Sequence, residues 1–244
     1  MDPALDAALD RARARLRDAR RVFVLTGAGV SAESGVPTFR GAGGLWRGVR
    51  PETLATPEAF ARDPEGVWAW YAWRRERVAA AAPNAAHAAL VALEARCESF
   101  LLATQNVDGL HERAGSREVL RLHGSLWRVR CTRCGDERDD RRVPLPEGVP
   151  RCGCGGALRP AVVWFGEALP AGAIERAAEA ARTADVALVV GTSAVVWPAA
   201  GLGEAALEAG VPLVEVNPER TAYSDRALSL CGPAAELLPW IVAA

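Results

Sequence analysis

Gly27-Ala28-Gly29-Val30-Ser31-Ala32-Glu33-Ser34-Gly35-Val36-Pro37-Thr38-Phe39-Arg40-Gly41 is the stretch on which the reading of this chain turns, together with the apolar run Val22-Phe23-Val24-Leu25 before it. An apolar strand ending in Gly-x-Gly opens a dinucleotide-binding turn. Gly27 and Gly29 let the backbone turn tightly and approach a pyrophosphate, with Ala32 at the third small position. Backbone N–H groups at a helix start then hold the phosphates. In a nucleotide-binding dehydrogenase the helix runs on, and an acidic residue about twenty positions later binds the ribose. Here Gly35 and Pro37 oppose a long helix. The segment through Arg47 reads as a Gly-rich loop carrying Thr38, Phe39, Arg40 and Trp46. A loop of that kind over a dinucleotide points to chemistry on the dinucleotide itself rather than hydride storage.

Bulk composition sets the outer bounds. The chain has 244 residues, half of them hydrophobic, enough for one large domain or a large and a small one. Its formal net charge is −1, from 29 basic and 30 acidic residues. That balance gives no reason to expect nucleic acid or an anionic membrane as partner. Every basic residue except histidine is arginine, which fits a GC-rich coding bias. No apolar stretch reaches the roughly 18–20 residues that span a bilayer. Met1 to Arg21 has no signal-peptide core; Leu5, Leu9, Ala12 and Leu16 recur at helical spacing. The expected location is the cytoplasm, and the expected oligomeric state is a monomer.

Apolar runs bounded by Gly, Pro and Asn predict strands over Val22–Leu25, Phe100–Ala103, Val119–Leu122, Val186–Val190 and Leu213–Val216. Helical patterns cover Asn84–Ala95, Ala173–Ala184, Ala199–Ala209 and Ala234–Ile241. Strands alternating with helices predict an α/β fold, a Rossmann-like doubly wound parallel sheet. Residues 42–82, with a helical segment from Pro64 to Ala80, and residues 128–160, rich in Cys, Arg, Pro and Gly, break that alternation. They are expected to form a smaller inserted domain, helical and zinc-binding, leaving 1–41, 83–127 and 161–244 as the nucleotide-binding domain.

Cys131-x-x-Cys134 and Cys152-x-Cys154 form two close pairs. Four thiolates in such pairs close a tetrahedral site around Zn²⁺ and leave no open position, so this zinc is structural. Disulfides are a poor alternative in a reducing compartment.

Taken with these cysteines, Gly27–Gly41, Thr104-Gln105-Asn106-Val107-Asp108-Gly109-Leu110-His111 and Leu122-His123-Gly124-Ser125 resemble the NAD-dependent protein deacylases, the sirtuins. So do Val162-Val163-Trp164-Phe165-Gly166-Glu167, Gly191-Thr192-Ser193 and Val216-Asn217-Pro218. The blocks come in the family's order from about residue 21 to 232.

The resemblance implies that NAD⁺ and an acyl-lysine of a protein or peptide meet in a cleft between the domains. The acyl oxygen attacks C1′ of the nicotinamide ribose, nicotinamide leaves, and an alkylimidate forms. His123 then accepts a proton as a ribose hydroxyl attacks, and water completes transfer to O-acyl-ADP-ribose and free lysine. A histidine suits this because its ordinary pKa lies near neutral; a loop histidine bonding nearby backbone is the plainer alternative. The resemblance also assigns the NAD⁺ contacts. Gly27, Ala28, Gly29, Ser31, Ala32, Glu33, Thr38, Phe39, Arg40 and Trp46 belong to the cofactor loop, where Phe39 shields the ribose and Arg40 orients a phosphate or ribose. Asn106, Val107 and Asp108 line the nicotinamide pocket and Gln105 contacts ribose. Gly191, Thr192, Ser193, Asn217 and Pro218 hold the adenosine half, with Glu219 and Cys231 at its rim. Val162, Val163, Trp164 and Phe165 run extended and pair with the substrate backbone, while Glu167 caps or pairs locally.

Tyr71-Ala72-Trp73-Arg74 bears on which acyl group is removed. On a helix, positions i and i+3 share a face, and a phenol beside a guanidinium can bind a carboxylate. The pair resembles the branch of the family that removes succinyl and malonyl groups, as does Leu54-Ala55-Thr56-Pro57, where small Ala55 widens the acyl pocket. An aromatic–arginine contact on a helix surface is the plainer alternative. Three other functions compete: an NAD-dependent dehydrogenase, a mono-ADP-ribosyltransferase, and a zinc-ribbon nucleic-acid binder using the arginines around Cys131. The last is opposed by Asp136, Glu137, Asp139 and Asp140, which interleave with those arginines.

Overall fold

The structure is a computed structural model that describes residues 3–38 and 51–243; Phe39, Arg40 and Trp46 lie outside the described residues. Helix α1 (Pro3–Asp18) leads into strand β1 (Arg21–Thr26) and a 3-10 helix over Ala28–Ser34. That turn of helix stops at Gly35, whose φ of 80° is a left-handed conformation that suits glycine. Helices α2 (Pro51–Leu54), α3 (Pro57–Arg62) and α4 (Pro64–Ala80) follow, then α5 (Ala85–Arg96), β2 (Ser99–Thr104), α6 (Leu110–Ala114) and β3 (Val119–Arg121). Next come β4 (Gly124–Cys131), β5 (Glu137–Asp139) and β6 (Leu158–Val162). The chain closes with α7 (Ala173–Thr183), β7 (Val186–Val190), α8 (Gly201–Glu208), β8 (Leu213–Asn217), β9 (Leu228–Cys231) and α9 (Ala234–Val242).

Six strands form a parallel sheet in the order β3-β2-β1-β7-β8-β9. Its central strands read as unbroken apolar runs because both faces are covered. Val22, Val24, Leu102, Leu188 and Val214 point to a core shared with α1, α5 and α9. Phe23, Leu25, Leu101, Ala187 and Val189 point to the opposite core, with Ala177 and Ala181 of α7 and Leu202 and Ala206 of α8. This is the doubly wound α/β sheet that the alternation of elements predicts.

The second sheet is small and antiparallel, in the order β5-β4-β6. Its residues Leu126, Val129 and Leu158 share one core with Val67, Trp68, Trp70, Tyr71 and Val78 of α4 and with Phe60 of α3. Trp68 fixes the contact by donating its indole N–H to the Leu158 carbonyl at 2.8 Å. Helix α4 starts on Asp63, whose Oδ1 accepts from Gly66 N at 2.8 Å, with Pro64 at the first helical position.

Several elements differ from expectation. β4, β5, β6 and β9 were not predicted as strands. Arg128 and Arg130 alternate with buried Val129 and Cys131 in β4, a half-buried pattern hidden by its high Arg content. β9 is a short edge strand. Of the four residues expected to run extended as a substrate-pairing strand, only Val162 is in a strand, and it is paired with β4. Val163 and Trp164 follow without regular structure and Phe165 enters a turn. Val163 N donates to His123 O at 2.9 Å and Phe165 N to Ala55 O at 2.9 Å, so this stretch is tied to two neighbouring loops.

Candidate functional site

In the parallel sheet the chain moves outward from β1 to β2 and β3, then returns to lay β7 on the other side of β1. In such open sheets ligands bind beyond the carboxyl ends of the strands where the order reverses. Here that point lies between β1 and β7, and the glycine turns after the two strands meet there. Gly27 N donates to Val190 O at 3.0 Å and Gly29 N to Gly191 O at 2.8 Å. A Cβ on Gly27 would sit 2.7 Å from Gly191 O, one on Gly29 2.6 Å from Gly191 Cα, and one on Gly191 2.3 Å from Val30 N. These glycines therefore dock the two turns on each other.

Around that junction the sequence candidates gather. Ser31 is fully buried and donates to Asp108 Oδ2 at 2.9 Å. Asp108 Oδ1 accepts from Leu110 N at 2.8 Å, and burial outweighs these bonds, raising the Asp108 carboxyl above its usual range. Asn106 Nδ2 reaches Gly27 O at 3.1 Å and Ser31 Oγ at 3.3 Å. Gln105 Nε2 donates to Thr192 Oγ1 at 3.0 Å, bridging the ends of β2 and β7. Val107 is buried beside them. These groups converge as polar donors and acceptors at a nucleotide-binding edge, so they fit a dinucleotide.

His123 follows β3, and its ring is held by Nδ1 at 3.1 Å from the Gln105 carbonyl. A carbonyl oxygen only accepts, so Nδ1 carries the proton and Nε2 is left as a base. Burial lowers the His123 pKa from its ordinary value, keeping the ring neutral at neutral pH. Gly124 is required next: its φ is 78°, and a Cβ would lie 2.2 Å from Ala161 O.

The remaining candidates are placed as follows. Ser193, Pro218 and Glu219 are exposed, and Asn217 folds back to donate to Glu219 O at 2.7 Å. The exposed Cys231 thiol donates to Pro218 O at 2.9 Å. Ala28 and Thr38 are half-buried and Ala32 is exposed. Glu33 is turned to α9, accepting from Ala235 N at 3.0 Å, where a carboxylate complements the helix start. Glu167 pairs with Arg159 and accepts from Trp164 N at 2.8 Å.

Tyr71 and Arg74 are buried side by side, with Ala55 in the same core. The Tyr71 hydroxyl accepts from Trp164 Nε1 at 2.8 Å, which leaves its proton to donate. The Arg74 guanidinium lies 4.8 Å from the Trp70 ring centre and 5.3 Å from that of Tyr71. It is also close enough to Asp108 for their charges to interact.

Cys131, Cys134, Cys152 and Cys154 bring their sulfurs within 4.8 Å of one another, with 3.5 Å between Cys131 and Cys154 and 3.8 Å between Cys134 and Cys152. A tetrahedron of sulfurs about 2.3 Å from Zn²⁺ has edges of about 3.8 Å, so the cluster fits that ion. The backbone N–H of Cys134 helps hold the Cys131 thiol below its ordinary value, while side-chain hydrogen bonds within the cluster raise that of Cys134.

Sequence reasoning missed a set of buried polar groups behind the site. Thr26 Oγ1 donates to Thr104 Oγ1 at 2.8 Å and lies 2.9 Å from His111 Nε2. The His111 ring lies 4.9 Å from that of His87, tilted by 55°, and His87 Nδ1 accepts from Asn84 N at 3.2 Å. Thr104 Oγ1 in turn accepts from Asn106 N at 3.0 Å. Trp127 Nε1 donates to Asp108 O at 2.5 Å. A histidine in the Thr104–His111 block was the one visible signal.

Comparison with known proteins bears on this geometry. A family model described as the Sir2 family matches residues 27–198. An NAD-dependent protein deacylase of Aquifex aeolicus is 57% identical over 82% of this chain and 84% of its own. A solved structure of a Sir2 homologue in complex with NAD is 49% identical, with a TM-score of 0.90 over 96% of this chain and 92% of that one. A structure of Sir2 with a p53 peptide and NAD⁺ is 32% identical, with a TM-score of 0.83 over 94% and 95%.

Proposed function

This chain belongs to the Sir2 family, and on that footing we propose that it is an NAD⁺-dependent protein-lysine deacylase that removes succinyl and malonyl as well as acetyl groups. The observation that carries the proposal is the convergence of Ser31, Asn106, Asp108 and His123 beyond β1 and β2, with Tyr71 and Arg74 buried on α4 and Arg74 close enough to Asp108 for their charges to interact. NAD⁺, when bound, supplies a ribose carbon whose nicotinamide can leave. Asn106 and Asp108 hold the nicotinamide side, and the turns at Gly27 and Gly191 hold the phosphate and adenosine side. His123 Nε2 would accept a proton from a ribose hydroxyl, because Nδ1 is committed to Gln105 O. Peptide complexes of a relative 32% identical support a protein or peptide substrate. The four cysteines would hold a structural zinc, and with no open coordination position it would do no chemistry.

The acidic-acyl reading rests on charge. Arg74 is 3% exposed, so a carboxylate reaching it forms a desolvated pair, which the Tyr71 hydroxyl supports with its free proton. The decisive measurement is turnover of succinyl- and acetyl-lysine peptides, followed by nicotinamide release. Tyr71→Phe and Arg74→Met should lower succinyl kcat/KM by the equivalent of roughly 2–5 kcal/mol while acetyl turnover changes little. Equal losses on both peptides would remove the assignment. Formation of NADH absorbance would instead favour a dehydrogenase, and label from NAD⁺ retained on a protein would favour an ADP-ribosyltransferase.

A further inference from the structure

Arg75 directly follows Arg74, yet it faces elsewhere and the acyl reading leaves it without a role. Its side chain is 1% exposed, and its Nη1 lies 3.5 Å from Asp140 Oδ1. None of its guanidinium nitrogens makes a hydrogen bond among the described residues. The group sits between two aromatic faces, 5.7 Å from the Trp68 ring centre and 6.0 Å from that of Trp127. Asp140 is itself buried, and it is fixed from its own side. Its N–H donates to Trp127 O at 2.9 Å, and Arg142 donates to its carboxylate at 2.6 Å and 3.0 Å.

Such a pair is poorly explained by stability. Burying a guanidinium and a carboxylate costs more than a matched apolar pair would, so replacing it with hydrophobic groups is often neutral or stabilising. What a charge pair adds is direction. Asp140 ends the β4–β5 hairpin, whose tip carries Cys131 and Cys134. Arg75 is one turn beyond Tyr71 on α4. The ion pair therefore sets the rotation of α4 against the cysteine-bearing hairpin, and with it the aim of Tyr71 and Arg74. Other ties of α4 include Trp68 to Leu158 O and Tyr71 to Trp164, nearer its start, and Arg113 Nη1 to Val78 O at 3.3 Å near its end; of these three, only the first reaches the small antiparallel sheet.

We propose that Arg75 and Asp140 are a positioning pair for acyl selectivity: they hold α4 so that Tyr71 and Arg74 meet an acidic acyl group, without touching substrate. This rests on the deacylase reading above. A misplacement of about 1 Å can cost up to about 10²-fold in rate, so a small loss of alignment suffices.

The test uses the full chain, with Arg75→Met, Asp140→Asn and, as a reference, Arg74→Met. Arg75→Met should keep bound zinc, the KM for NAD⁺ and acetyl-lysine turnover, since Asp140 retains its bonds to Arg142. Its KM for succinyl-lysine peptide should rise about tenfold with little change in kcat. Asp140→Asn should show the same selectivity loss together with a lower Tm, because it strands a buried cation. An unchanged succinyl-to-acetyl ratio in a folded Arg75→Met protein overturns the proposal. So does a parallel fall of Tm and of both activities, which would make Arg75 structural only. If wild type removes succinyl no better than Arg74→Met, the acidic-acyl reading itself fails and this pair falls with it.

Discussion

At the scale of single residues, His123 shows how environment turns a common side chain into a base. The Gln105 carbonyl fixes the tautomer, and partial burial disfavours the charged ring. A base works when neutral, so activity rises with pH through the His123 pKa and levels off above it. Because that pKa is lowered, the acidic limb of kcat/KM should lie below the ordinary histidine value of about 6.5. A pH profile of nicotinamide release tests this; an acidic limb centred above that value would contradict it. His123→Asn should bind NAD⁺ yet lose about 10²–10⁴-fold in deacylation. The residue type and its neighbours were visible in Leu122-His123-Gly124-Ser125. The carbonyl that selects Nε2 was not, because it comes from the end of a different strand.

At the scale of elements, the site depends on two turns fitting against each other. Gly191 has a φ of 61° and no room for a Cβ against Val30 N. Gly191→Ala therefore combines backbone strain with a collision between rigid main chains and should cost several kcal/mol. Gly172 has a similar φ of 73° but nothing within 4 Å. Gly172→Ala should cost only the left-handed penalty, roughly 1–2 kcal/mol. Urea unfolding of the two variants gives the comparison; similar losses would mean that the docking of the turns is unimportant. The Gly-x-Gly signal was legible; its contact with Gly191 was not, because that glycine lies far along the chain.

At the scale of the whole molecule, folding strands two neutral histidines in the interior. Burial holds His87 down at about 4 and His111 at about 3, whereas the unfolded chain titrates near 6.5. Between pH 6.5 and about 4 the unfolded state binds more protons than the folded one, so stability falls as pH falls. The loss should reach a few kcal/mol by pH 4.5. Carboxylates held low in the fold, such as Asp185, add to it mainly below about pH 4. Urea midpoints at pH 7 and pH 4.5 measure the effect, and His111→Gln should flatten it. An equal midpoint at both pH values in wild type would contradict the burial argument.

The order of strands and helices was legible because a parallel sheet buried on both faces demands continuous apolar runs, and helices between them demand a different period. The start of α4 at Pro64 and the early stop at Gly35 were legible for the same local reasons, proline and glycine geometry. The cysteine pairs announced a metal cluster because their ligands are close in sequence. By itself, then, the sequence determined the doubly wound sheet, the turn chemistry and the residue types of the site. Only the tertiary structure decided which groups face one another: Gly191 against Gly29, Ser31 against Asp108, Arg74 near Asp108 and Arg75 on Asp140. Those pairings join residues on different elements, and no local propensity or period encodes the contact that packing creates.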